Sequence, residues 1–116
     1  MIKLKRAYEA ASADDGVRIL VERLWPRGVG KQKARIDLWL KDVSPSPELR
    51  TWYGHEPARW PQFRKRYEAE LKGHGSLLAL LNYVADHEPV TFVYAASDKE
   101  RNSALALKEF LEKSKK

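Results

Sequence analysis

The 116-residue chain contains no cysteine. That excludes disulfides, thiolate metal sites and a cysteine nucleophile, and it suits a reducing cytoplasm. Long apolar runs are missing too. Nothing approaches the ~20 residues of a membrane span, and the opening MIKLKRAY has charges but no apolar stretch behind them, unlike a signal peptide. A soluble cytoplasmic protein with no membrane partner is the expectation. Several chemical signatures are absent as well. The segment GVGK at 28–31 lacks the spacing of a dinucleotide or P-loop fingerprint and has no Ser or Thr after its lysine. There is no G-x-S-x-G elbow. His55, His74 and His87 have no metal-ligand spacing, so neither a metal nor a cofactor is implied.

What is present describes a folded domain. A hydrophobic fraction of 43% is ordinary for a globular protein, and the length fits one domain, 1–116, able to bury a core. The net charge is +6, part of it on Lys113, Lys115 and Lys116 in an expected frayed tail. Most other charges alternate in sign. The exception runs from Arg23 to Arg35, where Arg23, Arg27, Lys31, Lys33 and Arg35 meet no acid. Such a block is either a solvated loop or a surface for phosphates.

Periodicity gives the elements. Alternation marks strands at Ile2–Tyr8 and Val17–Leu24, and VTFVYAA makes the strongest strand, at Val90–Ala96. Ile36–Leu40 reads as a short helix presenting Ile36, Trp39 and Leu40. Ser46 and Pro47 start a helix that Gly54 ends. Pro57–Trp60 is a lead-in turn, after which Trp60, Phe63, Tyr67 and Leu71 share one helical face. Ser76 is the expected cap of the next helix, and Ser97 with Glu100 forms a capping box for the last. Long helical crossovers between strands favour a compact α/β sandwich, Rossmann-like, with a small, mainly parallel sheet flanked by helices in two or three layers. An α+β arrangement with an antiparallel first strand is the alternative.

Ligands of open α/β sheets bind outside the carboxyl ends of the strands. Two such ends are chemically loaded. ERLWPRG follows the second strand, bringing Arg23, Trp25, Arg27 and Gly28; YAASDKERNS follows the last, bringing Ser97, Asp98, Arg101 and Asn102. A helix start there would offer free N–H groups, and Arg27 could close over it as a bidentate donor, accepting phosphate, sulfate or carboxylate. The competing structural account has Ser97 and Glu100 merely finishing a helix, with Asp98 neutralising Arg101 or Arg27. His55, in WYGHEP, is a candidate general base alongside Asp98, or a junction residue bonded to backbone. Of the four tryptophans, Trp39 and Trp60 have core-like neighbours, while Trp25 stands at the strand end.

ERLWPRG at Glu22–Gly28, PSPELRTWYGHEPARWPQFRKRYEAEL at Pro45–Leu71 and YAASDKERNSA at Tyr94–Ala104 together resemble the YeaO-like family of small bacterial proteins, a domain of unknown function (DUF488). The resemblance spans nearly the whole chain and implies an α/β fold. It points to Arg23, Trp25, Pro26, Arg27 and Gly28, then His55, then Tyr94, Asp98 and Asn102. Glu22 stands where relatives commonly have aspartate. More distant relatives carry cysteine and histidine in the last strand-to-helix loop, where this chain has Ala96, Ser97, Asn102 and Ser103, so a thiol-dependent activity does not carry over. Three functions stay open: a domain that binds a small anionic ligand, with or without catalysis; a nucleic-acid-binding or regulatory module using residues 23–35; and a protein-interaction module.

Overall fold

A computed structural model describes residues 2–114. Its apolar runs form four parallel strands, β1 (Ile2–Arg6), β2 (Val17–Leu20), β3 (Leu38–Trp39) and β4 (Val90–Tyr94), in the order β1-β4-β2-β3. The helices are α1 (Lys31–Ala34), α2 (Pro47–Tyr53), α3 (Trp60–Lys72), α4 (Gly75–His87) and α5 (Ser103–Ser114). All five residues of β4 are buried, as a central strand covered on both faces requires. The expected parallel relation of β2 and β4 is present, with Val17 aligned to Val90 and Leu20 to Val93. β1 is parallel to β4 too, which removes the antiparallel alternative.

Side-chain alternation divides the sheet into two unlike faces. Ile2, Ile19, Val90, Phe92 and Tyr94 enter the main core with residues of α2 to α5, among them Phe63, Tyr67, Leu81 and Leu107. Leu20, Val93 and Ala7 face the other way, under Trp25, Val29, Ile36 and Trp39. The result is a two-layer sandwich whose second face is closed by loop and the one-turn helix α1. That face also holds charge. Arg18 Nη1 lies 2.6 Å from Asp15 Oδ2, Lys5 Nζ lies 3.1 Å from Asp15 Oδ1, and both Asp15 and Arg18 are buried.

The expected helix boundaries hold where capping chemistry is local. The Leu49 N–H donates to Ser46 Oγ at 3.1 Å, Pro47 opens α2, and Gly54 ends it at φ +53°. A 3-10 turn at Pro57–Arg59 leads into α3, whose Phe63, Tyr67 and Leu71 are buried with Trp60 partly so.

Other expectations are corrected. The Ile36–Leu40 segment is extended and supplies β3: the Arg18 N–H donates to Asp37 Oδ2 and the Asp37 N–H to the Arg18 carbonyl, both at 2.8 Å. Those bonds fix the segment along β2. Val17–Leu24 stops as a strand at Leu20, and Leu24 is 72% exposed, because the chain turns away once Glu22 engages Ala95 and Trp39. β1 and β4 likewise end two residues before Tyr8 and Ala96. Ser76 lies inside the first turn of α4, which follows His74. Ser97 does not open the last helix; α5 begins at Ser103, capped by Asn102. Lys113 belongs to α5, with its Nζ 3.5 Å from Glu68 Oε1. Lys115 and Lys116 lie outside the described residues.

Candidate functional site

Parallel strands bring the ends of β1, β2 and β4 to one edge of the sheet, and a cleft of about 850 Å³ opens there. Its cationic side comprises Arg6 from β1, Arg23 from the loop after β2, Arg50 from α2 and Arg101 from the loop after β4. Its opposite character comes from Tyr53, Trp60 and Phe63, at the junction of α2 and α3. Trp60 and Phe63 stack with ring centroids 5.4 Å apart, and Tyr53 lies 4.6 Å from Phe63.

Each arginine is held differently. Arg6 Nε donates to the Ala96 carbonyl at 2.9 Å, while its guanidinium sits 5.0 Å from the centre of the Tyr8 ring. Arg101 Nε donates to Asp98 Oδ2 at 3.0 Å. Arg50 is exposed, and its charge acts on Glu22. Arg23 is partly buried, and its buried Nε has no hydrogen-bond partner among the described residues. A buried donor without an acceptor is destabilising by about 1–3 kcal/mol.

Glu22 is the acid that faces these cations. Its Oε2 accepts the Ala95 N–H at 2.9 Å, and its backbone carbonyl accepts the Trp39 indole N–H at 2.7 Å. Burial raises its carboxyl pKa, opposed by the Ala95 N–H and by Arg50. Burial also raises the Tyr53 phenol, with Asp98's charge acting in the same direction.

The loop after β4 is shaped by Asp98. Its Oδ1 accepts the N–H groups of Glu100 and Arg101 at 2.9 and 3.0 Å, and those bonds hold its carboxyl below the usual aspartate range. Asn102 donates through Nδ2 to the Asp98 carbonyl at 3.0 Å and accepts the Leu105 N–H at 2.8 Å. One side chain thus ties the loop and caps α5.

A family model described as the inactive DUF488-N3 subclade matches residues 1–116. The chain belongs to this DUF488-N3i family. It is 41% identical over 110 residues to the uncharacterized protein YeaO of Escherichia coli K12, covering 95% of this chain and 96% of that one. It is equally 41% identical to the uncharacterized protein Rv3073c of Mycobacterium tuberculosis H37Rv, covering 95% of this chain and 92% of that one. No solved structure matches the chain significantly.

Within this DUF488-N3i chain, the residues singled out from sequence divide into two groups. Arg23, His55, Ser97, Arg101 and Asn102 line the cleft. His55 does so from a left-handed backbone at φ +57°, its ring 6.3 Å from Tyr53. Trp25, Arg27, Gly28 and Asp98 are not among the lining residues. Trp25 closes its own turn, donating to the Val29 carbonyl at 2.7 Å and meeting Trp39 edge-on at 5.5 Å. Gly28 takes φ +78°, and Arg27 is exposed while its carbonyl accepts the Tyr8 hydroxyl at 3.0 Å. No helix begins at Ser97 for Arg27 to address. Arg6, Arg50, Tyr53 and Trp60 were not anticipated at this edge. A parallel β1 would have signalled Arg6, since its carboxyl end must share the edge with the other two. Among the described residues no helix is long and apolar enough to cross a membrane, and no three His, Asp or Glu side chains are grouped to hold a metal ion.

Proposed function

We propose that this protein is a binding domain for a small anionic ligand bearing phosphate or carboxylate, held at the strand-end cleft. The observation that carries this reading is the gathering of four arginines, Arg6, Arg23, Arg50 and Arg101, around one cleft. An anion held among these guanidinium groups would make charge-assisted bonds, which are stronger than neutral ones. Ser97 and Asn102 add polar groups beside Arg101. Binding without turnover is favoured by the family's description as inactive.

Thermal unfolding against inorganic phosphate, sulfate and benzoate tests the reading. A ligand that binds only the folded state raises the melting temperature, corresponding to about 2.7 kcal/mol at a hundred times its Kd. Arg23→Ala and Arg101→Ala should each remove most of that rise. Arg27→Ala, outside the cleft lining, should retain it. No rise with any of the three anions, or a full rise in Arg23→Ala, would reject the proposal.

A further inference from the structure

We propose that the ligand is a nucleotide, with its phosphate toward Arg23 and Arg101 and a base whose N–H edge meets Glu22. This inference rests on the anion reading and specifies what the anion is attached to. The first ground is size and surface. Small-molecule sites run to roughly 300–1,000 Å³, and a cleft of about 850 Å³ far exceeds what a lone phosphate fills. Trp60, partly buried and stacked on the core ring of Phe63, lines it with aromatic surface that an inorganic anion cannot use. A planar heteroaromatic ring packs against such a surface favourably.

The second ground is Glu22, the acid among the lining residues. A purely anionic ligand would meet like charge there. Ala95 engages only Oε2, and among the described residues no hydrogen bond holds Oε1. An ionised carboxylate accepts at about four lone-pair sites and donates nothing. A ligand group that meets the ionised carboxylate must therefore be a donor. Guanine answers this requirement most directly, because its N1–H and N2–H₂ are adjacent donors on one edge, with no acceptor between them. The arginines and the carboxylate then select different groups of one molecule: the anion and the donor edge of its base.

Calorimetric titration of the full chain with guanosine 5′-monophosphate, ribose 5-phosphate and inorganic phosphate separates these claims. The expected result is tenfold or tighter binding of the nucleotide over ribose 5-phosphate. Glu22→Gln can still accept the Ala95 N–H through its amide oxygen, so the loop contact is kept, but its amide presents a donor to the base. It should lose the tenfold advantage while holding ribose 5-phosphate as before. Trp60→Leu, a second variant independent of the Glu22 loop, should weaken the nucleotide and leave ribose 5-phosphate unchanged. Equal affinity for nucleotide and ribose 5-phosphate overturns the nucleotide assignment while the anion reading stands. No binding of any of the three, phosphate included, overturns both. A nucleotide preference undiminished in Glu22→Gln overturns the role given to Glu22.

Discussion

At the residue scale, the most consequential charge outside the cleft is Asp15. Burial opposes its ionisation, yet bonds from Ser12, Lys5 and Arg18 outweigh it and hold its carboxyl well below the aspartate range. Arg18 is locked from both ends, its Nε donating to the Ala34 carbonyl at 2.8 Å and its Nη1 bonded to Asp15. The sign of the pH effect follows. The folded pKa is below the unfolded value of about 3.9, so ionised Asp15 stabilises the fold above that pH. The contribution is lost as pH falls toward the folded value. Asp15→Asn should be less stable at pH 7 by about 3–5 kcal/mol, the range for breaking a buried pair. Urea unfolding from pH 7 to pH 2.5 should show the gap between wild type and variant narrowing with acid. A gap that stays constant would mean that Asp15 acts through shape and hydrogen bonding alone.

At the element scale, local rules explain what could be read from sequence and what could not. Ser46, Pro47 and Gly54 delimit α2 because each acts on backbone within a turn of itself. The three longer strands were legible as apolar runs. β3 was not, because two residues, Leu38 and Trp39, carry no period, and Asp37 is what aligns them with β2. Ser97 and Glu100 match the capping-box pattern, but Asp98 takes the Glu100 and Arg101 N–H groups into a local turn, and Asn102 caps α5 instead. Gly16 shows the same dependence on long-range contact. It sits at φ +67°, and a Cβ there would lie 2.1 Å from the Pro89 carbonyl oxygen. The same approach allows the Val17 N–H to reach that oxygen at 2.9 Å as β2 begins beside β4. Left-handed strain and overpacking each contribute about 1–3 kcal/mol, so Gly16→Ala should destabilise by about 3 kcal/mol or more. Gly30→Ala is the control, since its Cβ meets nothing within 4 Å. Equal denaturation midpoints for the two variants would refute this account of Gly16.

At the scale of the molecule, two cationic regions occupy different parts of the fold. The cleft gathers Arg6, Arg23, Arg50 and Arg101 at the sheet's carboxyl edge. Lys31, Lys33 and Arg35 are exposed on α1 and at its end, and none of them lines the cleft. In sequence the two merge into one acid-free block, because adjacency along the chain hides the turn that Trp25 and Gly28 make between Arg23 and Lys31. That is why the edge of the candidate site and part of its lining were legible while the rest was not: Arg23 was placed with Arg27, and Arg6 and Arg50 were missed. The division has a measurable consequence for nucleic acid. With exposed Arg27, which also lies outside the cleft lining, the block offers four cations for about four phosphates, and duplex binding weakens by about 0.9 in log–log slope for each phosphate. Fluorescence anisotropy with random duplex DNA should therefore show a salt slope no steeper than about 3.6. The Lys31→Glu, Lys33→Glu, Arg35→Glu triple variant should abolish that binding and leave phosphate-dependent thermal stabilisation intact. A steeper slope, or duplex binding that Arg23→Ala destroys and the triple variant keeps, would join the two regions into one nucleic-acid surface and displace the small-ligand reading of the cleft.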